Sequence, residues 1–255
     1  MSFLYDVRSG KVVKSKVYSN NLLIKDVLNF DPLELFKGGK QGVWYDPSDK
    51  STLFQDVAGT IPVTKDGDPI GLMKDKSGNG YHATQPVSTA RPLYRTDGIL
   101  HWFESDYVDD GFYIPINLDG KTFTLGIGYK NMLPDRTYIL LSSGESLRWA
   151  YSANNTVVSR ITSVDVKLKF VKVDALTLPN TINRTELYNK MLVGNVFTAQ
   201  SSFNDVAWQA PNNYGLFGAG VLKGLNETCG YILIENLTDT TELDKYLAKK
   251  SGVTL

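Results

Sequence analysis

Apolar and polar positions alternate with a period of two along several short stretches between residues 43 and 231. In the stretch 122–129, TFTLGIGY, every second residue is aliphatic or aromatic, so these residues share one face of an extended chain. They are Phe123, Leu125, Ile127 and Tyr129. Further β-favouring runs are FYIPI (112–116), TYILL (137–141), LKFVKV (168–173) and YILIE (231–235). The pattern predicts strands over about residues 42–235.

Turn signals separate these stretches at short intervals. They are DPSD (46–49), KDGDP (65–69), DKSGNG (75–80), TDG (96–98), LDGK (118–121) and SSGE (142–145). Glycine adopts left-handed conformations, and Asp, Asn and Ser side chains bond nearby backbone, so such clusters end strands. Many short strands between regular turns predict an all-β, two-sheet antiparallel fold rather than a doubly wound one.

A helix is predicted over about residues 239–250. Asp239 and Glu242 form a capping box at its start, and Gly252 follows its last turn. Its apolar residues fall at the spacing of one helix face, which a core-packed helix requires. They are Leu243, Tyr246 and Leu247. A shorter helix is predicted within DPLELFKGG (31–39), where Asp31 caps, Pro32 takes the first position and Gly38 or Gly39 ends the turn.

Residues 1–37 differ from the rest of the chain. They hold three apolar patches, Val12-Val13, Leu22-Leu23-Ile24 and Val27-Leu28, which are too few to form a core. Exposed patches of this kind mark partner surfaces, and KVVKSKVY (11–18) suits addition to an exposed strand edge. We therefore expect an N-terminal arm at 1–37, used in assembly, and one domain at 38–255. The alternative is that the arm packs on its own domain.

Charge and composition disfavour several functions. With 27 basic and 27 acidic side chains the net charge is zero, whereas nucleic-acid binding usually needs a basic excess. No apolar run reaches the roughly 18 residues that span a bilayer, and the N-terminus lacks a secretory signal. Cys229 is the single cysteine, so neither an internal disulfide nor a thiolate metal cluster is possible. We expect no nucleic-acid partner, no membrane partner, no cofactor and no metal.

Three stretches resemble a known family of domains. They are GVWYDPSDKSTLFQDVAGTIPVTKDGDPIGLMKDKSGNGYHATQPVSTARPLYR (42–95), LHWFESDYVDDGFYIP (100–115) and YILIENLTDTTELDKYLAKKSGVTL (231–255). Together they resemble the concanavalin A-like, laminin-G-like jelly-roll domains of bacteriophage virion proteins. The resemblance covers residues 42–255, although its middle third depends on strand pattern alone. Glu104-Ser105-Asp106 departs from it, because an Asp-Gly pair is more typical there.

The resemblance implies a two-sheet antiparallel jelly-roll sandwich with an N-terminal arm and a short C-terminal helix. It also implies a non-enzymatic structural role in a virion, as a capsid decoration, collar, baseplate, or tail or fibre component. The expected partners are other virion proteins through the arm, further copies of the chain in a homo-oligomer, and a surface glycan. The expected location is the virion, after synthesis in the host bacterial cytoplasm. The alternatives are a carbohydrate-binding module and a jelly-roll glycoside hydrolase.

Two groups of residues are candidates for ligand binding. Asp75, Asn79 and Tyr81 belong to a tight loop and either shape it or line a cation or sugar site. Trp149 and Trp208 lie near polar segments, and aromatic faces suit pyranose rings and protein interfaces alike. Related folds bind sugars or calcium, but a fold does not define a function.

The most specific catalytic hint is the acidic segment Glu104–Asp109. Glu104 and Asp106 would share one face of an extended strand, as the two carboxylates of a retaining glycosidase must. Asp109 stands where the glycosidase pattern has a Glu, and it reads more naturally as part of a turn. His82 and His101 have no neighbour at metal-ligand spacing. The sequence therefore predicts no catalytic site.

Overall fold

The computed structural model describes fifteen segments of the chain. They are residues 5–6, 11–12, 18–19, 22–23, 30–106, 108–118, 120–131, 137–143, 147–152, 160–161, 168–179, 182, 184–202, 214–216 and 227–255. The backbone forms two compact units, Met1–Asp31 and Pro32–Leu255. In the first unit, the strands form two short antiparallel hairpins. They are β1 (Tyr5–Asp6) with β2 (Lys11–Val12), and β3 (Tyr18–Ser19) with β4 (Leu22–Leu23).

The second unit contains two eight-stranded sheets, and every strand pair in their described residues is antiparallel. The strands of the first sheet, in spatial order, are β17 (Leu176–Leu178), β16 (Leu168–Val173), β18 (Val196–Ser202), β12 (Thr122–Tyr129), β20 (Glu227–Glu235), β10 (His101–Glu104) and β9 (Leu93–Thr96). The eighth strand, β5 (Gly42–Tyr45), also pairs with β20. The central position therefore belongs to β20, which has three partner strands.

The second sheet is built mainly from shorter strands. In spatial order they are β15 (Arg160–Ile161), β14 (Leu147–Ser152), β13 (Thr137–Ser143), β19 (Tyr214–Leu216), β11 (Phe112–Ile114), β8 (Ala83–Thr84), β7 (Leu72–Met73) and β6 (Leu53–Phe54). The predicted β-strands at 112–116, 122–129, 137–141, 168–173 and 231–235 all contain observed strands. The prediction of an all-β fold with two antiparallel sheets is therefore confirmed.

One hydrophobic cluster contains residues of both sheets. The four predicted inward residues of β12 are fully buried in it. Phe103 of the first sheet and Phe112 of the second meet there edge to face, with ring centroids 6.1 Å apart. Such a shared core is compatible with a β-sandwich, in which the inner faces of two sheets pack together.

The C-terminal helix α2 (Thr241–Lys250) packs on the first sheet in a second apolar cluster. Leu243 and Leu247 are buried in this cluster and Tyr246 is partly buried, so the predicted face is confirmed. Gly252, at φ +80°, follows the last turn in a left-handed conformation. The predicted capping box is wrong in detail: the cap residue is Thr240, and its hydroxyl bonds the buried Asp244 carboxylate at 2.8 Å.

The two remaining helices differ in how well the sequence predicts them. The short helix predicted within 31–39 is a 3-10 helix, Pro32–Phe36, and Phe36 packs in the second apolar cluster. This helix therefore belongs to the compact unit 32–255, although we placed it at the end of the arm. No sequence pattern predicts α1 (Arg184–Val193), whose residues Leu187 and Met191 are fully buried in the shared core. Two further 3-10 turns are Lys50–Thr52 and Ser88–Ala90.

Candidate functional site

The candidate residues Asp75, Asn79 and Tyr81 lie together in the loop between β7 and β8. Both oxygens of the Asp75 carboxylate accept hydrogen bonds from the protein. Oδ1 accepts the N–H groups of Trp44 (3.0 Å) and Ser77 (2.9 Å). Oδ2 accepts the Ser77 hydroxyl (2.7 Å) and the Tyr81 N–H (3.1 Å). The carboxylate therefore stabilises the loop and fixes it to β5.

The other two candidates make the same connection. The Asn79 amide donates to the carbonyls of Lys40 (3.2 Å) and Gly42 (2.9 Å). The Tyr81 hydroxyl donates to Oε1 of Gln41 at 2.7 Å. All three candidates thus bond the segment around the start of β5. This geometry favours the interpretation that they shape the loop, since a ligand would have to replace these contacts.

Two glycines give this loop its course. Gly78 and Gly80 have φ values of +90° and +78°, in the left-handed region that other residues rarely adopt. The turn cluster DKSGNG (75–80) predicts left-handed positions at its glycines, and both glycines adopt them. We call residues 75–81, with their bonds to β5, the loop lock.

A charged network lies beside the loop lock and joins three distant parts of the chain. Asp46, 4% exposed, accepts hydrogen bonds from Nζ of Lys250 at 2.8 and 2.9 Å and from the Tyr246 hydroxyl at 3.2 Å. Lys76 approaches the same carboxylate at 3.5 Å. Burial alone would raise the pKa of Asp46, but the charge and hydrogen bonds of Lys250 hold it below its ordinary value. The network fastens α2 to the turn after β5.

The side chains of the two tryptophan candidates lie outside the described part of the chain. Trp149 lies on β14, opposite Leu141 of β13, but its side chain is outside the described part of the chain. Trp208 lies outside the described residues altogether. Both tryptophans therefore stay predictions.

The pairing of Glu104 with Asp106 on one strand face is wrong. Strand β10 ends at Glu104, and Asp106 lies in the following connection, where its carboxylate accepts the Val108 N–H at 2.8 Å. Glu104 pairs instead with Glu227 across the β10–β20 ladder. Each of these glutamates has a separate partner, Arg95 at 3.2 Å for Glu104 and Asn131 at 2.5 Å for Glu227.

The connection from β10 to β11 gathers three carboxylates. Asp106, Asp109 and Asp110 have carboxylate oxygens within 4.8 Å of one another, close enough for one cation to contact all three. Asp110 is only 6% exposed. Burial raises its pKa to about 6, and the neighbouring Asp106, Asp109 and Glu104 add to the shift against the hydrogen bond from the Asp106 N–H. The sequence signal is the run DYVDD, which we assigned only to a turn.

Three other side chains with reactive groups are buried or hydrogen-bonded within the protein. Cys229 is buried, which raises the pKa of its thiol to about 12 and keeps it protonated. His101 bonds the Tyr94 hydroxyl through Nδ1 at 2.6 Å, as expected of a packed strand residue. His82 accepts the Asp75 N–H at 3.1 Å.

Comparison of the chain with family models, with curated proteins and with solved structures found no match. No helix among the described residues is long and apolar enough to cross a membrane.

Proposed function

We propose that this protein is a non-enzymatic structural component of a bacteriophage virion, with a jelly-roll domain that acts through protein–protein contacts. Residues 1–37 form its assembly element, and the partners are other virion proteins and further copies of the chain. Recognition of a host glycan is a second role that the same surface contacts would serve.

The observation that carries the proposal is the two-sheet fold of the region that resembles virion jelly-roll domains. The first resembling stretch, 42–95, forms strands of both sheets, from β5 to β9. The last one, 231–255, contributes to the central strand β20 and forms α2. The parts of the sequence that carry the resemblance therefore build the framework of the domain.

Strand order supports the finer assignment to a jelly roll. The consecutive strands β10 and β11 lie in different sheets, and so do β5 and β6. β5, near the start of the domain, pairs with β20, at its end. Connections that cross between sheets and bring the first strand beside the last are characteristic of jelly rolls and related Greek-key folds.

The geometry of the acidic segment favours a structural role over glycoside hydrolysis. A retaining glycosidase needs one carboxylate free to attack and a second free to give a proton, about 5–5.5 Å apart. Glu104 bonds Arg95, and Asp106 caps the turn of its own loop. These contacts hold both candidate carboxylates in structural bonds.

Removal of residues 1–30 tests the proposed function. We expect a folded, soluble domain with a nearly unchanged melting temperature, because the compact unit 32–255 contains both sheets. The shortened protein should no longer join oligomers or particles in sedimentation experiments. A truncated protein that unfolds or aggregates would show that the arm belongs to the core. One that still assembles would contradict the assembly role.

A further inference from the structure

The connection between β10 and β11 combines negative charge with exposed aliphatic side chains. Val108 is 65% exposed and lies between Asp106 and the pair Asp109 and Asp110. A carboxylate cluster alone gives no reason to expect a protein partner. Val108 would give a partner of opposite charge an apolar contact within this polar rim, an arrangement typical of interfaces.

A second exposed valine lies in the loop beside this connection. Gln85 is buried, with 1% of its surface exposed. Its side-chain amide donates to the Gly111 carbonyl at 2.8 Å and accepts the Val87 N–H at 3.0 Å. Gly111 also donates to the Ala90 carbonyl at 3.3 Å. The two loops are therefore joined by hydrogen bonds, and Val87, 52% exposed, lies in the loop bonded to this connection. We call Val87, Asp106, Val108, Asp109 and Asp110 the acidic loop surface.

The chain itself contains a segment of complementary composition. Residues 8–17, RSGKVVKSKV, carry four positive charges, three valines and no negative charge. Residues 1–30 hold five basic and two acidic side chains. Since the whole chain has a net charge of zero, the remaining residues carry a net charge of −3. Opposite charges on two surfaces steer their association and fix its orientation, while the apolar groups supply affinity.

We infer that the acidic loop surface of one copy binds residues 8–17 of a second copy. This inference rests on the proposed assembly role of residues 1–37 and adds the surface that receives them. The lysines of the segment face the carboxylates of the loop, and its valines cover Val87 and Val108. Contacts of this kind weaken as salt concentration rises, since exposed charges are screened within about 8 Å at physiological ionic strength.

Reciprocal charge reversal tests the inference on the full-length chain. One variant carries Lys11→Glu, Lys14→Glu and Lys16→Glu, and another carries Asp106→Lys and Asp109→Lys. Each reversal places like charges together and should weaken self-association by about tenfold or more, measured by analytical ultracentrifugation. The variant with all five substitutions should regain most of the association. Glu186→Lys with Glu242→Lys is the matched control on exposed acids of the two α-helices and should change little.

The outcomes separate this inference from the proposed function. Loss of association on removal of residues 1–30, with no effect of the aspartate reversals, would keep the assembly role and overturn the acidic loop surface. A wild-type chain that stays monomeric at all concentrations, or a combined variant that does not recover, would also overturn it. Since Asp106 caps its own loop, urea unfolding of each variant shows that the domain stays folded. Asp106→Asn with Asp109→Asn should give an intermediate loss.

Discussion

Asp75 shows how one side chain can organise the backbone of several segments. Its two oxygens accept four hydrogen bonds, three of them from backbone N–H groups of residues 44, 77 and 81. Hydrogen bonds to a charged acceptor are roughly twice as strong as those between neutral groups. A residue that the sequence offers as a ligand for a cation or sugar is therefore better explained as the centre of the loop lock.

Asp110 makes the stability of the domain depend on pH. In the folded protein the Asp110 carboxyl has a pKa of about 6, whereas the ordinary pKa of an aspartate is 3.8. In the interval between these values the folded state binds more protons than the unfolded one, so the free energy of unfolding falls as pH rises. We expect Asp110→Asn to raise the free energy of unfolding at pH 7 by on the order of 1–2 kcal/mol, with little change at pH 4.

Urea unfolding of both proteins at several pH values between 4 and 7 measures this effect. An asparagine can still accept the Asp106 N–H, so the variant removes the charge and keeps the contact. Glu242→Gln is the control, because Glu242 is exposed and pairs only with Lys245 within the described residues. Equal pH dependence in wild type and Asp110→Asn would show that this carboxyl does not carry the effect.

The residue scale also shows what sequence reasoning can reach. The turn at Asp46, with its bonds to the N–H and hydroxyl of Ser48, was predicted because both groups lie two residues away. The bond from Lys250 to the same carboxylate was not predicted. No local pattern reports a contact between residues 204 positions apart. Local hydrogen bonds were therefore predictable, whereas the charged network was not.

At the scale of elements, glycines allow α2 to approach the first sheet closely. A methyl group on Gly128 would lie 2.7 Å from the Leu247 carbonyl oxygen, and one on Gly126 would lie 2.8 Å from the end of the Leu247 side chain. The first contact is with backbone and the second with a flexible side chain. The two glycines therefore differ in how easily the helix can adapt to a larger residue.

This difference leads to a prediction for two single substitutions. Gly128→Ala should destabilise the domain by about 1–3 kcal/mol, because backbone must move to relieve the overlap. Gly126→Ala should cost less, because it meets only the side chains of Leu247 and Leu243, at 2.8 and 2.9 Å, which can shift more easily than backbone. Thermal unfolding followed by circular dichroism compares them, with Gly126→Ala as the matched control. Equal effects, or a larger loss for Gly126→Ala, would argue against close packing of α2 at Gly128.

Elements with long, regular patterns were predicted and those with short ones were not. β12 and α2 have clear periods of two and of about 3.6 residues, and both form as expected. α1 buries Leu187, Tyr188 and Met191 in the core, and Leu192 packs partly buried against it. Its helical state depends on the core that those residues join. Such tertiary stabilisation leaves little trace in local sequence.

At the scale of the whole molecule, the strand ladder rearranges the acidic residues that the sequence places together. Glu104 lies opposite Glu227, more than a hundred residues away, and Asp106 lies outside the strand. Directly opposed like charges weaken a sheet, and Arg95 and Asn131 offset this by binding one glutamate each. Sequence spacing could not show this pair because it depends on the register of β10 with β20.

We expect the protein to lack hydrolase activity. Release of reducing ends from a panel of bacterial surface polysaccharides should stay at background for the wild type. Glu104→Gln and the matched Glu227→Gln should assemble as the wild type does. Turnover of any polysaccharide that disappears in Glu104→Gln or Glu227→Gln would contradict the non-enzymatic proposal.

The central place of β20 has a consequence for how the chain acquires its structure during synthesis. β20 hydrogen-bonds β5, β10 and β12, yet the ribosome makes it after all three. Until residue 235 has left the exit tunnel, the first sheet lacks the strand that holds these partners together. Until then the strands made earlier have unpaired edges and exposed apolar faces, which makes nascent chains prone to aggregate. Pairings of such long sequence separation also form slowly. The first sheet is therefore completed late in synthesis, and chains that end before β20 leave the edges of β5, β10 and β12 without this partner.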